Sequence, residues 1–289
     1  MTAGAAPLVT VAMSVRDNAG TIARAIRSVL AQTYPQFELV IVDDGSKDDT
    51  AARIAGFDDP RITLISDGET KGLAARVNQI VASARGTLIA RMDGDDFSYP
   101  QRFERQVAFL QANPDIDLVG TSAIAFRSSG EPLGAFQVVA SHDAICARPD
   151  IGFAIPHPTW MGRTAWFQRF PYSQAIKRGQ DQAKLLSSYK TSRFANLPEP
   201  LLGYRQDIPQ ISQITQSRLP YLNALARHAA QHGDWPLIAR GAIQQLGRTA
   251  VGVATLSMGG GERLLARRFR LATQDELAHF HAVIATLPK

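Results

Sequence analysis

The stretch "RMDGDDFSYPQRFE", Arg91 to Glu104, sets Asp93, Asp95 and Asp96 within four residues, directly behind an apolar run. Carboxylates held this close repel one another. A hard divalent cation such as Mn²⁺ or Mg²⁺ relieves that repulsion by taking carboxylate oxygens together with waters or substrate phosphates. A helix cap or an Asx turn uses the same residue types, so the cluster alone leaves all three open. An EF-hand is excluded, because the later Glu and the glycine spacing are missing. A second acidic pair, Asp43 and Asp44 in "VDDGSKDDT", abuts the apolar "LVIV". An acid there can accept from a nucleobase N–H or from ribose hydroxyls, and Gly45 allows close backbone approach. A plain strand-to-helix turn is the alternative.

These clusters need elements to hold them. "LVTVAMSV", Leu8 to Val15, is nearly all apolar and rich in β-branched residues, the pattern of a strand buried on both faces. In "TIARAIRSVLAQ", Ile22, Ile26, Val29 and Leu30 fall on one helical face. "FELVIVDDGS", "RITLIS" and "GTLIARMD" read as further strands. "DDTAARIAGF", with an Asp cap, "GLAARVNQIVASARG" and "YPQRFERQVAFLQANP", with Pro100 near its first turn, read as helices. Such alternation predicts an α/β fold with a doubly wound, mostly parallel, Rossmann-like sheet. Ligands of these sheets sit beyond the carboxyl ends of the strands, where "RDN", "DDGS" and "DGDD" all fall.

Past Asp117 the rhythm changes. "DLVGTSAIAF" and "LGAFQVVAS", split by the turn "RSSGEP", suggest a small antiparallel extension. "GQDQAKLLSSYKTS" reads as a helix and "ANLPEPLLGYRQ" as extended chain. "PYLNALARHAAQH", "PLIARGAIQQLGRTA" and "GERLLARRFR" read as a C-terminal helical region. The expected division is a domain over 1–206, split into 1–116 and 117–206, followed by a helical extension over 207–289.

Composition narrows the function class. Net charge is +5, yet from Arg218 to Arg270 eight arginines face only Asp234 and Glu262. That asymmetry suggests an anionic membrane surface or a protein partner, with no nucleic acid expected. The single cysteine, Cys146, excludes an internal disulfide and reads as a small hydrophobe, buried or half-buried. No stretch reaches the roughly 18 apolar residues of a spanning helix, and the N-terminus lacks the pattern of a secretory signal. The expected location is cytoplasmic, at most peripheral on the inner face of the cell membrane.

Together, "VTVAMSVRDNAGTIARAIRSVLAQTYPQFELVIVDDGSKDDT", "GLAARVNQIVASARG" and "LIARMDGDDFSYPQRFERQ" resemble the family 2 glycosyltransferases of the GT-A fold, over about Pro7 to Gln206. The resemblance implies an inverting, metal-dependent transfer from a nucleoside-diphosphate sugar, UDP-linked by expectation, to a glycan or lipid-linked acceptor in polysaccharide or cell-envelope biosynthesis. It places Ser14 and Val15 on the nucleotide loop, Asp44 on the base with Asp43 beside it, and Arg76 near the nucleotide. It gives Asp95 to the ribose or sugar-phosphate and, with Asp96, to Mn²⁺ or Mg²⁺ in this DXD-type motif; Asp93 is either a further donor-binding residue or one that only shapes the turn.

Downstream, "HPTWMGRTAW" and "RGQDQAKLL" align Asp181 as the base that takes the acceptor hydroxyl's proton. Gln180 stands where the family has Glu, and both Gln180 and His157 are expected on the acceptor side. Trp160 and Trp166 are expected in the core. "PLLGYRQ" resembles the family's closing element, with Arg205 approaching the diphosphate. No G-x-x-x-x-G-K-[ST] loop is present, so the metal and Arg76 are expected to supply the positive charge. The Q-x-x-R-W signature of processive synthases is absent. The rival readings are a sugar-1-phosphate nucleotidyltransferase, whose glycine-rich loop "SVRDNAG" is not, and a non-catalytic nucleotide-sugar-binding module.

Overall fold

The structure, a computed structural model, describes residues 6–208 and 210–287, with the backbone alone for 212–217. The first five residues of the N-terminal stretch discussed above lie outside it.

The expected strand–helix alternation is what folds. It runs β1 (Val9–Val15), α1 (Ile22–Leu30), β2 (Phe37–Asp43), α2 (Thr50–Ala55), β3 (Ile62–Ser66), α3 (Leu73–Ser83) and β4 (Leu88–Asp93). The short β5 (Phe97–Ser98) then leads into α4 (Arg102–Ala112). β1 pairs in parallel with β2 on one side and β4 on the other, and β3 extends the sheet beyond β2. The register fixes the site: Ser14 pairs with Val42 and Asp93, and Val15 with Asp43. Three separate polar clusters are thereby brought to one carboxyl edge.

Apolar side chains alternate between the two faces of these buried strands. Val11 and Met13 point into a core with Ile22 and Ile26 of α1 and Phe103 and Val107 of α4. Ala12 and Val42 point to the opposite core with Val77 and Ile80 of α3. Burial on both faces is the doubly wound condition, and it explains why these strands read as continuous apolar runs.

The second half is β6 (Leu118–Phe126), β7 (Pro132–Phe136), α5 (His142–Ile145), a 3₁₀ turn (His157–Thr159), β8 (Met161–Arg163), α6 (Thr164–Arg169), α7 (Gln180–Ser188) and β9 (Phe194–Arg205). β8 joins β4 and β6 antiparallel, and β7 joins β6 antiparallel, so the antiparallel extension is present. β9 runs parallel to β6 and pairs with β5 at its far end. Trp160 and Trp166 are buried core residues, as expected. Cys146 is half-buried, and burial pushes its thiol up to about 12.

The C-terminal region holds α8 (Ile211–His232), α9 (Trp235–Ser257), α10 (Gly261–Ala266), β10 (Phe269–Arg270) and α11 (Gln274–Ala285). Three details differ from the sequence expectation. The helix read through "GERLLARRFR" stops at Ala266, because Phe269 and Arg270 pair antiparallel with Phe136 and Ala135 while the Phe269 ring meets Phe136 edge-on at 4.9 Å. α11 was missed. Its Phe280 is fully buried against Phe97 and Phe126, in a core shared with β5 and β6. The strand read through "LGAFQVVAS" ends at Phe136. The Asp at the start of α2 that bonds the helix is Asp48, whose Oδ1 accepts from the Thr50 N–H at 3.0 Å. Among the described residues no helix is long and apolar enough to cross a membrane.

Candidate active site

The acidic loop hangs from β4 and is held from three sides. Arg91, with no exposed surface, donates to the Ala12 carbonyl at 2.8 Å and to Asp93 Oδ1 at 2.6 Å, which fixes Asp93 against β1. Gly94 passes close to β1; a Cβ there would lie 2.7 Å from Val15 Cγ1. Below the loop, Asp96 is fully buried, and its Oδ1 accepts from the Arg205 N–H at 2.8 Å. That contact depends on β9 lying against β5. Gly203 pairs with Phe97, and a Cβ there would lie 2.3 Å from the ring.

The three acids are therefore not equivalent. Asp93 is ion-paired and 28% exposed. Asp95 is half-buried, and burial reinforced by the Asp93 charge raises its carboxyl to about 6. Asp96 is raised well above the usual carboxylate range by burial and by both neighbouring acids, and its Oδ2 has no hydrogen-bond partner. An orphaned buried carboxylate oxygen beside a second acid with a raised pKa is a donor set that suits a hard cation. Among the described residues no group of three or more His, Cys, Asp and Glu could cage a metal ion. A cation would therefore lean on one or two carboxylates and on phosphate oxygens of a ligand.

At the β2 edge both acids are already engaged. Asp43 accepts from Ser66 Oγ at 3.0 Å and from the hydroxyl and N–H of Ser46. The Asp44 carboxylate accepts from the N–H groups of Lys71 and Gly72, at 2.7 Å and 3.0 Å, and from Arg76 Nε at 2.9 Å. Arg76 has no exposed surface. Its remaining nitrogens bond Asp67, Gln79 and the Glu69 carbonyl. Its charge is matched by Asp44 and Asp67, so it braces the start of α3 against the end of β2. The cations that line the cleft on this side are Arg16 and Lys71, which the sequence analysis passed over. Arg16 follows β1 in "SVRDN" and Lys71 precedes "GLAAR", so position at the strand edge was the available signal. Ser14 is half-buried at that edge, and the Val15 carbonyl accepts from the Asp44 N–H at 2.8 Å.

Opposite lies α7. Its N-cap is Gly179, at φ 74°, and Gln180 and Asp181 open the first turn. Asp181 lines a cleft of about 1390 Å³ that also takes in Arg16, Lys71, Gln180 and Tyr204. Burial raises the Asp181 carboxyl, and the Asp93 charge adds to that rise, while hydrogen bonds from Gln182 and from its own main chain oppose it. A carboxyl with raised pKa facing a large cleft is what a general base needs. Gln180 is buried and donates to the Lys177 carbonyl at 2.8 Å. Arg205 is half-buried, and its guanidinium lies 3.5 Å from Asp207. His157 is set back from the cleft, against Trp160 and bonded to the Tyr172 hydroxyl at 2.8 Å. Burial holds its imidazole well below the usual histidine range.

The comparisons agree with this architecture. The profile of the family described as "Glycosyl transferase family 2" matches residues 10–178. EpsE of Bacillus subtilis is 33% identical over 70% of this chain and 74% of its own length. The succinoglycan biosynthesis protein ExoO of Rhizobium meliloti is 29% identical over 76% of this chain and 66% of its own. Among solved structures, S. aureus TarS in complex with UDP-GlcNAc aligns over 97% of this chain and 82% of its own, with TM-score 0.65 at 15% identity. PcManGT from Pyrobaculum calidifontis, with GDP-Man and Mn²⁺, aligns over 97% and 86%, with TM-score 0.56 at 16% identity.

Proposed function

The chain belongs to glycosyl transferase family 2, and from that premise we propose that it moves one sugar, with inversion, from a nucleoside-diphosphate sugar to a hydroxyl of a glycan or lipid-linked acceptor. The observation that carries this is the position of Asp181, raised in pKa and half-buried on the cleft wall, with the Asp93 charge close enough to act on it. The nucleotide would lie across the β1, β2 and β4 edge, bounded by Ser14, Asp43, Asp44 and Asp93. Arg16 brings positive charge there, Lys71 stands beside it with its ammonium shared with Asp67 and Glu69, and Arg76 acts through Asp44. Asp181 takes the proton of the attacking hydroxyl as the new bond forms on the face opposite the leaving nucleoside diphosphate.

The donor set fits Mn²⁺ or Mg²⁺. Asp95 would hold the ion from the open side and Asp96 through its unpartnered Oδ2. Such an ion would supply positive charge against the charge developing on the leaving diphosphate. A UDP-linked donor is the first to test, since the TarS structure binds UDP-GlcNAc. WfgD of Escherichia coli, 36% identical over 37% of this chain, is described as a UDP-Glc:alpha-D-GlcNAc-diphosphoundecaprenol beta-1,3-glucosyltransferase. Both facts favour a UDP donor, and the second favours a lipid-linked acceptor.

We also propose a place at an anionic membrane surface, a reading supported by the exposed Trp235, Leu246, Met258 and Leu271 set among the C-terminal arginines. Flotation with vesicles that is indifferent to anionic lipid would remove that support.

A thermal-shift screen of nucleotide sugars, with and without Mn²⁺, tests the core of the reading. One donor giving a metal-dependent shift, followed by NMR showing an inverted anomeric centre in the product, is the expected result. A donor-dependent shift with no transfer product would leave a binding module without turnover as the better account, and a folded protein that responds to no donor would overturn both readings.

A further inference from the structure

The wall of the cleft formed by the C-terminal helices carries more positive charge than a donor diphosphate uses. Eight Arg or Lys side chains line the cleft and the one carboxylate among the described lining residues is Asp181. Arg16 and Lys71 lie on the donor side. Arg218 of α8, Arg248 of α9, and Arg267 and Arg268 beyond α10 line the other wall. None of these four forms a salt bridge among the described residues. Arg218 donates to the Gln245 carbonyl at 3.3 Å and Arg268 to Gln206 Oε1 at 2.8 Å. Arg218 is half-buried; burial lowers the pKa of its guanidinium and the like charge of Arg248 lowers it further. Arg248, Arg267 and Arg268 are exposed, so water solvates them, and a wall of cations with no acid among them is a surface that attracts an anion.

The same wall is apolar beside the arginines. Ile243, Gly247 and Val251 lie four residues apart along one row of α9. Gln244, Arg248 and Gly252 form the neighbouring row, and all six line the cleft. Ile243 is 71% exposed and Val251 55%. A row of uncovered hydrocarbon one helix ridge away from a row bearing charge is a surface for a molecule that is itself hydrocarbon next to anion. The wall reaches the site of chemistry, because α8 packs against both α7, which carries Asp181, and α9.

Resting on the transferase reading, we propose that this wall is the acceptor site, and that the acceptor is an amphiphile with a phosphate or diphosphate next to a hydrocarbon chain. Arg218, Arg248, Arg267 and Arg268 bind the phosphate. Ile243 and Val251 bear the first part of the chain, which sets the acceptor sugar toward Asp181.

Calorimetry on the full chain with decyl diphosphate, inorganic pyrophosphate and UDP as separate probes tests this. Decyl diphosphate should bind one to one with UDP present, at least about tenfold tighter than pyrophosphate, because the chain adds apolar burial. Arg248→Ser with Arg267→Ser should weaken both pyrophosphate and decyl diphosphate about tenfold or more. Ile243→Asn with Val251→Asn should weaken decyl diphosphate alone. The UDP dissociation constant should stay within about twofold in all of them. All four positions but Arg267 lie on exposed faces of α9, and Arg267 is exposed too, so the fold is expected to survive, with circular dichroism as the check.

Equal affinity for the two diphosphates overturns the proposal, as does an arginine variant that binds decyl diphosphate like the wild type. A parallel loss of UDP binding overturns it too, since the arginines would then serve the donor. Arginine variants that lose only vesicle flotation, with decyl diphosphate binding intact, would make the wall a membrane contact and overturn it likewise. Absence of UDP binding in the wild type would sink the transferase reading and would leave the decyl diphosphate measurement decisive for this one.

Discussion

Asp44 and Arg76 form a buried ion pair, Oδ1 to Nε 2.9 Å, that ties the end of β2 to the first turn of α3. The Arg76 side chain has no exposed surface and the Asp44 side chain only 7%. Asp67 shares the guanidinium at 2.6 Å, and its carboxyl is held far below the usual range by Arg76 and Lys71. The pair lies directly behind the edge where the nucleotide is proposed to sit, so it sets the shape of that edge.

Removing one member of such a pair leaves the other charge buried without a partner, which costs about 3–5 kcal/mol. Arg76→Ala should therefore lower the melting temperature by roughly 6–10 °C in a chain of this size. Arg76→Lys should recover only part of it, since an ammonium cannot make the forked contacts to Asp44 and Asp67. A variant that melts like the wild type and loses only nucleotide binding would show that Arg76 serves the ligand directly.

The acidic loop yields a sharper comparison. Asp95→Asn and Asp96→Asn should each abolish the Mn²⁺-dependent rise in melting temperature, while Asp93→Asn, whose carboxylate is engaged by Arg91, should retain it. Differential scanning fluorimetry against Mn²⁺ concentration reads all three. If Asp96→Asn keeps the full response, its carboxyl serves only to hold Arg205, and Asp95 is the ligand the protein contributes.

Much of this frame was legible in the sequence, for a physical reason. Strands buried on both faces must be continuous apolar runs, so β1, β2 and β4 announced themselves, and with them the edge holding Ser14, Asp43 and Asp93. Side-chain commitments were not legible. Nothing in "GLAARVN" says that every nitrogen of Arg76 finds a protein partner, and nothing in "DGDD" says that the last acid is sealed under β9. Both depend on contacts distant in the chain, Arg76 with Asp44 and Asp96 with Arg205. α11 was missed because its partners, Phe97 and Phe126, lie more than a hundred residues away.

Asp181 offers a test that separates catalysis from stability. Only the ionised carboxylate accepts a proton, so transfer should fall about tenfold per pH unit below the raised pKa of Asp181. Asp181→Asn should lower transfer by about 10²–10⁴-fold and remove that acid limb, with donor binding intact. Its stability at pH 8 should equal or exceed that of the wild type, because a folded-state pKa above the unfolded value means the ionised form costs stability above that pKa. Unchanged transfer by the Asn variant would remove Asp181 from the chemistry.

Lys184, one helical turn beyond Asp181, is 3% exposed and caged by Trp166, Phe167 and Tyr172, with ring centroids 4.5–4.8 Å from its Nζ. It also donates to the Phe170 and Phe167 carbonyls. Burial lowers its pKa to about 7. Between that value and the ordinary lysine value the unfolded chain binds the extra proton, so stability should rise with pH across this window. The gain is roughly 2 kcal/mol from pH 7 to pH 9 at most, since the ring faces and carbonyls favour the cation. Below about pH 7 the ammonium is charged in both states and its burial cost is fully present. Lys184→Met fills the cage without a charge and should flatten the rise, which urea unfolding at pH 7, 8 and 9 measures. A wild type whose stability is level over that range, or a Met variant with the same slope, would show that the rings and carbonyls hold Lys184 charged throughout.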